Sequence, residues 1–133
     1  MWELACLAQK NAVAEYSGYR VGAALGSQLI AIQGANIEIV VNSLSVCAER
    51  SALFSALSQG HRKFTDVVVV VDNPSGATPC GACRQALLDF CQPDLNIWVG
   101  SQQGVFAHYT LGQLVPFSFS ALDVEAVVHS KRD

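Results

Sequence analysis

The chain has 133 residues, of which 51% are hydrophobic and 14% are charged, with a mean hydropathy of +0.31 and a formal net charge of -3. This length predicts one domain over residues 1–133, and the high apolar fraction excludes a disordered chain. A polynucleotide-binding surface is excluded, because the net charge is acidic and no basic cluster is longer than Lys131-Arg132. Because soluble domains average about 25% charged residues, the low charged fraction favours a homo-oligomer whose subunit faces cover the excess apolar area.

The first half of the chain predicts two helices that flank a β-hairpin. A helix is predicted over residues 2–16, which contain no Gly or Pro and carry apolar side chains at helical spacing. Strands are predicted over residues 20–25 and 29–35, because two apolar runs joined by a short glycine-containing link are typical of a hairpin. A second helix is predicted over residues 47–57, with Gly60 beyond its end.

The second half predicts a buried strand followed by a helix, two more strands and a helical turn. Residues 67–71 are five successive valines, which indicates a strand buried on both faces. Residues 79–90 predict a helix, residues 95–99 and 105–109 predict strands, and residues 111–114 predict a helical turn. The expected fold class is therefore α/β, a single layered domain in which helices pack on a five-stranded mixed sheet.

The cysteine content indicates a reducing compartment. The chain has five cysteines, namely Cys6, Cys47, Cys80, Cys83 and Cys91. The N-terminus has Glu3 where a signal peptide carries basic residues, and no apolar run approaches roughly 20 residues, the length of a membrane span. The sequence therefore predicts a cytoplasmic protein without a membrane partner, whose cysteines serve a metal site or catalysis.

Three of the cysteines are placed to share one metal ion. Cys47 stands at the start of the second predicted helix, and Cys80 and Cys83 share one face at the start of the third. If neighbouring parallel elements bring the two helix N-termini together, three thiolates converge where helix dipoles stabilise them. Three thiolates and one water form a tetrahedral zinc site with an open position, which is typical of catalytic rather than structural zinc.

Glu49 favours a catalytic interpretation of this cysteine group. It lies two residues after Cys47, is not needed as a fourth ligand, and could exchange protons with a water at the open position. A first ligand with an acid two residues later, followed by Pro-Cys-x-x-Cys, is the signature of zinc-dependent deaminases. A structural zinc site or a redox motif would leave Glu49 without a role.

Two arginines follow the cysteine motifs. Arg50 comes directly after residues 47–49, and Arg84 comes directly after Cys83. Either could donate hydrogen bonds to the sulfurs, and Arg50 is favoured.

The chain resembles the cytidine deaminase family, in its small free-nucleoside form, over roughly residues 10–120. The resemblance rests on residues 19–25 (YRVGAAL), 34–38 (GANIE), 47–50 (CAER) and 79–85 (PCGACRQ). It implies a cytidine deaminase-like fold. It also implies hydrolysis of cytidine and 2′-deoxycytidine to the corresponding uridine nucleosides, with release of ammonia.

The resemblance implies a role for each residue of the cysteine group. Cys47, Cys80 and Cys83 correspond to the ligands of one Zn²⁺ per subunit. Glu49 corresponds to the proton shuttle, which would protonate the N3 atom of the pyrimidine and then the leaving amine. Independently of the resemblance, the net negative charge of Zn²⁺ with three thiolates leads us to expect that Arg50 draws charge from the sulfurs.

The same resemblance implies a set of substrate contacts and an assembly. Asn36 and Glu38 match the pair that hydrogen-bonds the ribose 3′-hydroxyl. Tyr19 stands where the family usually has a Phe that stacks on the base, and Ala48 belongs to the same substrate-binding set. Phe119 matches an aromatic residue that the family inserts into a neighbouring subunit's active site. Because the family is typically a homotetramer, a homotetramer is expected here.

The chain departs from the family pattern directly after Glu38. The family commonly continues with Asn, a small residue and then Ser or Thr, whereas residues 39–42 of this chain are IVVN. Together with Tyr19, this apolar run motivates the hypothesis that the pocket near the amino group is reshaped and tolerates cytidines substituted at N4 or C5.

Three alternative functions remain open. Blasticidin S deaminase carries almost the same zinc motif, although Asn36 and Glu38 favour a nucleoside substrate. A polynucleotide-editing deaminase is disfavoured, because it would carry His at the position of Cys47 and a basic surface for the strand. A non-enzymatic zinc module would hold the three thiolates but have no use for Glu49.

Overall fold

The strands of the chain join into one layer. In the computed structural model, which describes the backbone of residues 1–132 and the side chains of residues 1–128, they are β1 (Val21–Gly26), β2 (Ala31–Ala35), β3 (Asp66–Val71), β4 (Asn96–Ser101) and β5 (Gly104–Thr110). Within these residues the five strands form one sheet in the order β2-β1-β3-β4-β5. β3 and β4 are parallel and the other neighbouring pairs are antiparallel, which confirms the predicted five-stranded mixed sheet.

Helices lie on both faces of this sheet. They are α1 (Trp2–Gln9), α2 (Ala48–Ser58), α3 (Gly81–Phe90), α4 (Leu111–Leu114) and α5 (Ala121–Arg132), with a 3₁₀ turn at Asn42–Leu44. α1 packs on one face against β1 and β3, while α2 and α3 pack on the other, so the predicted α/β class is confirmed. No helix within residues 1–132 is long and apolar enough to cross a membrane.

The five valines of β3 lie at the centre of the core, as their unbroken run predicts. Val67, Val69 and Val71 are buried on the face that α2 and α3 cover. Val68 and Val70 are buried on the opposite face, with side chains of α1. Successive side chains of a strand point to opposite faces, so a strand covered on both sides requires apolar residues throughout.

A glycine in β2 allows α2 to lie close to the sheet. A Cβ at Gly34 would overlap the backbone of Ala48 and Ala52 in the first turns of α2. The close approach therefore requires a residue without a side chain at this position. It places the N-terminus of α2, whose N-cap is Cys47, beside the end of β2.

The predicted opening helix over residues 2–16 is wrong in its second half, because α1 ends at Gln9. Val13 pairs instead with a distant segment: its amide donates to the Asn36 carbonyl at 2.9 Å, and it forms a parallel bridge with Ile37. Backbone hydrogen bonds to another part of the chain thus outweigh local helical propensity, which is a weak preference.

Helix α5 was not predicted from the sequence. Its Val124, Val127 and Val128 are β-branched residues, which lower helical propensity. The pair Ser120-x-x-Asp123 could have indicated it, because the Ser120 amide donates to the Asp123 carboxylate at 2.8 Å just before the helix begins. A hydroxyl residue followed three residues later by an acid is typical of a helix N-terminus.

Candidate active site

Three cysteine sulfurs meet at the edge of the sheet where β3 ends. Cys47 is the N-cap of α2, Cys80 is the N-cap of α3, and Cys83 lies in the first turn of α3. Because α2 leads into β3 and α3 follows β3, both helices begin at this edge. The three Sγ atoms lie within 4.8 Å of one another, and the Sγ atoms of Cys47 and Cys80 are 3.5 Å apart.

The chemistry of this cluster fits zinc. Thiolate sulfur is a preferred zinc ligand, and Cys47 and Cys80 each stand at the N-terminus of a helix. Cys83 is buried, Cys47 is half-buried and Cys80 is exposed, so the cluster is enclosed on one side and open on the other. Three protein ligands with an open side are typical of a catalytic rather than a structural zinc site.

Hydrogen bonds within the cluster favour a thiolate at Cys47. Bonds from Cys83 and from Arg50 lower the pKa of the Cys47 thiol to about 5. The bond to Cys47 also raises the pKa of Cys83, which acts as the donor. Arg50 Nη2 lies 3.6 Å from Cys47 Sγ, and this thiolate raises the pKa of the guanidinium in turn. The positive charge of Arg50 offsets part of the negative charge that three thiolates would bring to a metal ion.

Arg84, the other arginine considered for this role, makes different contacts. Its guanidinium donates to the Pro79 and Leu114 carbonyl oxygens at 2.8 and 2.9 Å, and to the Thr78 hydroxyl at 2.8 Å. These contacts fix two backbone carbonyl groups and the Thr78 side chain, and none of them is to a cysteine sulfur. Arg50 is the arginine that donates to a cysteine of the cluster.

Glu49 lies beside the cysteines in a buried position. It is the second residue of α2, is only 4% exposed, and lines the cavity into which Cys47 and Cys80 open. Burial raises the pKa of its carboxyl group, although a hydrogen bond from Cys83 acts in the opposite direction. A carboxyl group with a raised pKa is suited to accept and release protons near neutral pH.

The cavity beside the cysteines has a volume of about 320 Å³. Its wall contains six of the residues singled out in the sequence, namely Tyr19, Asn36, Glu38, Cys47, Glu49 and Cys80. Ser17 and Thr78 add hydroxyl groups, and Val69 and Val71 of β3 add an apolar surface. A concave site with a mainly apolar wall and a few converging polar groups is typical of a small-molecule site.

The Glu38 carboxylate is held by the turn that precedes β1. It accepts hydrogen bonds from the Tyr16 and Ser17 amides, each at 3.0 Å, and from the Ser17 hydroxyl. These bonds, that of the Ser17 hydroxyl foremost, lower the pKa of Glu38. The sequence did not indicate a role for Ser17, because its contact with Glu38 joins positions 21 residues apart.

The side-chain amide of Asn36 joins two parts of the cavity wall. Its Oδ1 accepts from the Val21 amide at 2.8 Å, and its Nδ2 donates to the Tyr19 carbonyl at 2.8 Å. Each of these atoms has capacity for one further hydrogen bond. Asn36 can therefore hold the chain at Tyr19 and contact a ligand at the same time.

The remaining candidate substrate residues lie in three different environments. Tyr19 lines the cavity and is 43% exposed, whereas Ala48 is fully buried in the core against the sheet. Phe119 is 63% exposed and does not line this cavity. The contacts of Ala48 and of Phe119 with a substrate stay predictions. Phe119 could make such a contact only in the active site of a second subunit.

The apolar run after Glu38 lies outside the cavity. Ile39, Val40 and Val41 are exposed, and none of them lines the cavity beside the cysteines. Ile39 and Val40 line a neighbouring cavity. Contacts within the chain therefore do not support the hypothesis that this run reshapes the pocket near an amino group.

Comparison with known proteins gives concordant matches. The model of the cytidine and deoxycytidylate deaminase zinc-binding region matches residues 1–98. A cytidine deaminase of Halalkalibacterium halodurans is 41% identical over 121 residues, covering 88% of this chain and 89% of the relative. The crystal structure of a Burkholderia pseudomallei cytidine deaminase has a TM-score of 0.84 at 38% identity, covering 89% of this chain and 95% of that chain. A Bacillus cereus blasticidin-S deaminase is 30% identical over 116 residues, covering 80% of this chain and 81% of the relative.

Proposed function

The chain belongs to the zinc-binding cytidine and deoxycytidylate deaminase family, and we propose that it hydrolyses cytidine and 2′-deoxycytidine to uridine and 2′-deoxyuridine with release of ammonia. Zn²⁺ is the cofactor, and Cys47, Cys80 and Cys83 would hold it. The observation that carries the proposal is that the sulfur cluster and the buried Glu49 carboxylate meet at one cavity.

Glu49 moves the protons that this reaction requires. When bound, zinc acts as a Lewis acid and makes water nucleophilic at neutral pH. The Glu49 carboxylate takes one proton from the water and passes it to the N3 atom of the pyrimidine as the water oxygen bonds to C4. It then takes the proton of the new C4 hydroxyl group and gives it to the amino group, so that the C4–N bond breaks, ammonia leaves and the C4 carbonyl forms. Its burial raises its proton affinity and keeps bulk water from competing for the same proton.

The cavity wall favours an uncharged nucleoside over a nucleotide. Among the described residues that line it, Glu38 and Glu49 are acidic and none is Lys or Arg. A phosphate group within this cavity would meet carboxylates and, among these residues, no cationic partner, which is unfavourable for a charged group leaving water. Glu38 and Asn36 together offer acceptors and a donor, which suits a sugar hydroxyl that both donates and accepts.

The proposal is tested by incubating one preparation with cytidine and with 2′-deoxycytidine and following the ultraviolet spectrum, with zinc quantified per chain. Conversion to the uridine spectrum is expected, with about one zinc per subunit. Zinc without conversion of either nucleoside would overturn the proposal. Blasticidin S in the same assay tests the second candidate, which the relative from Bacillus cereus supports.

Removal of the Ser17 hydroxyl is expected to weaken nucleoside binding through Glu38. In Ser17→Ala the carboxylate loses a donor that orients it, so the KM for cytidine should rise severalfold while kcat changes little. The native Glu38 has a lowered pKa and is ionised until the pH falls through that value. Without the hydroxyl its pKa rises, so on acidification KM should begin to rise at a higher pH than in the native enzyme.

The measurement is KM for cytidine against pH on the acidic side of neutrality, for the native enzyme and both Ser17 variants. Ser17→Thr is the matched control, because it retains a hydroxyl and should keep the native profile. A Ser17→Ala enzyme with the native KM at every pH would contradict the role given to Ser17 and Glu38.

The same proposal includes a homotetramer in the cytoplasm. Phe117, Phe119, Leu122 and Val124 are exposed before and within α5, and apolar side chains grouped in this way support an interface between subunits. Light scattering on the purified protein should give the mass of four chains, and a monomer would contradict the assembly. The free thiols of the described cysteines support a reducing compartment.

A further inference from the structure

Arg84 connects the turn before α3 with the end of α4. It is half-buried in the first turn of α3, directly after Cys83. Its Nε donates to the Pro79 carbonyl at 2.8 Å, Nη2 to the Thr78 hydroxyl at 2.8 Å, and Nη1 to the Leu114 carbonyl at 2.9 Å. All three nitrogens of one planar guanidinium are thus paired at normal hydrogen-bond lengths.

These bonds restrain the turn that carries Cys80. Residues 72–80 connect β3 to α3 without forming a helix or strand. Cys80 is the N-cap of α3 and lacks a side-chain capping bond, whereas Cys83 lies within the helix and is fully buried. Thr78 and Pro79, which Arg84 holds, are the two residues that lead into Cys80. Arg84 therefore adds a restraint on this turn to the one that α3 provides, in which the Cys80 carbonyl accepts from the Arg84 amide at 3.0 Å.

The far end of the connection is anchored in the core. Leu114 is the last residue of α4, whose Leu111 is fully buried and which packs on α3 and β5. Next to Arg84, Gln85 Nε2 donates to the Phe119 carbonyl at 2.9 Å. Two consecutive side chains of α3 thus hold the chain at Leu114 and at Phe119.

We propose that Arg84 is a positioning residue of the metal site, which preorganises Cys80 by tying residues 78–80 to the end of α4. The inference rests on the zinc site of the proposed function and adds to it a residue that does not donate to a sulfur. A ligand that is already in place loses less conformational entropy when the metal binds. Loosening Cys80 should therefore weaken zinc binding, while Cys83 remains fixed within α3.

The test is the zinc affinity of the full chain, measured by competition with a chromogenic chelator. Arg84→Gln removes the guanidinium and is expected to weaken zinc binding about 10- to 100-fold, the range for residues that hold a metal ligand in place. Arg84→Lys keeps the charge but cannot reach all three acceptors, so its affinity should be intermediate. The visible spectrum of the Co²⁺-loaded protein should also change in Arg84→Gln, because it reports the ligand geometry.

Arg62→Gln is the matched control. Arg62 also donates to two backbone carbonyls, those of Leu57 and His61, each at 2.8 Å, but at the C-terminal end of α2, away from the cysteines. Arg62→Gln should bind zinc with the affinity of the native protein. An equal loss in Arg62→Gln would show a general effect of removing an arginine and would overturn the inference.

Two further outcomes separate this inference from the proposed function. Native zinc affinity in Arg84→Gln would overturn the positioning role and leave the proposed function intact. If Arg84→Gln does not fold, native zinc affinity in Arg84→Lys would likewise overturn the positioning role. A native protein that binds no zinc would overturn the proposed function and the inference together.

Discussion

Replacing Glu49 by glutamine is expected to remove most of the turnover and to leave the zinc site loaded. The amide has nearly the same shape but cannot carry the proton, so kcat for cytidine should fall about 10²- to 10⁴-fold, the usual contribution of a general acid–base group. Glu49 is not part of the cysteine cluster that could hold the metal, so zinc per chain should stay at the native value. Both quantities are measured on one preparation.

Glu3→Gln is the matched control for this substitution. Glu3 is the second residue of α1, as Glu49 is of α2, but it is exposed. It should leave kcat and zinc content unchanged. Native turnover in Glu49→Gln would contradict the proton-carrying role, and a loss of zinc would assign Glu49 to the metal instead. A non-catalytic zinc module would show no turnover even in the native protein.

Cys83→Ala is expected to lose zinc, activity and stability together. Cys83 is fully buried, and the two remaining cysteines leave the ligand set incomplete. A metal that binds only the native state adds about 3 to 4 kcal/mol to the free energy of unfolding when its free concentration is about 100 to 1000 times Kd. This contribution should disappear in the variant. Denaturant unfolding in zinc buffer, with and without a chelator, measures it.

Cys91→Ala is the matched control for the loss of a buried sulfur. Cys91 is 8% exposed at the end of α3 and lies outside the cysteine cluster. The chelator should lower the stability of the native protein and of Cys91→Ala, and should leave Cys83→Ala unchanged. A chelator effect in Cys83→Ala as large as in the native protein would mean that Cys83 is not a ligand.

Local patterns were sufficient for most elements of the fold. The valine run of β3 and the apolar stripe of α2 each depend on neighbouring residues, and both elements lie within one residue of their predicted bounds. The spacing of Cys47 and Glu49 is likewise local, because the N-cap and the second residue of a helix both lie at its N-terminal end. The candidate ligands and the candidate acid could therefore be identified before the fold was known.

The errors arise where distant segments compete with local preference. Residues 10–16 have helical composition, yet Val13 pairs with the segment around Asn36. The hypothesis about the run after Glu38 stays a prediction without support from contacts within the chain, because adjacency in sequence to a cavity residue does not place Ile39, Val40 and Val41 in the cavity wall.

Residue chemistry at short spacing thus determined the fold class, the family resemblance and the candidate metal ligands of this chain. The folded structure was needed to show that Ser17 holds Glu38 and that Arg50 rather than Arg84 donates to a thiolate. It was also needed to show that Arg84 ties the turn before Cys80 to the end of α4. Hydrogen bonds between remote segments depend on distances and directions that exist only after the sheet and its helices have packed.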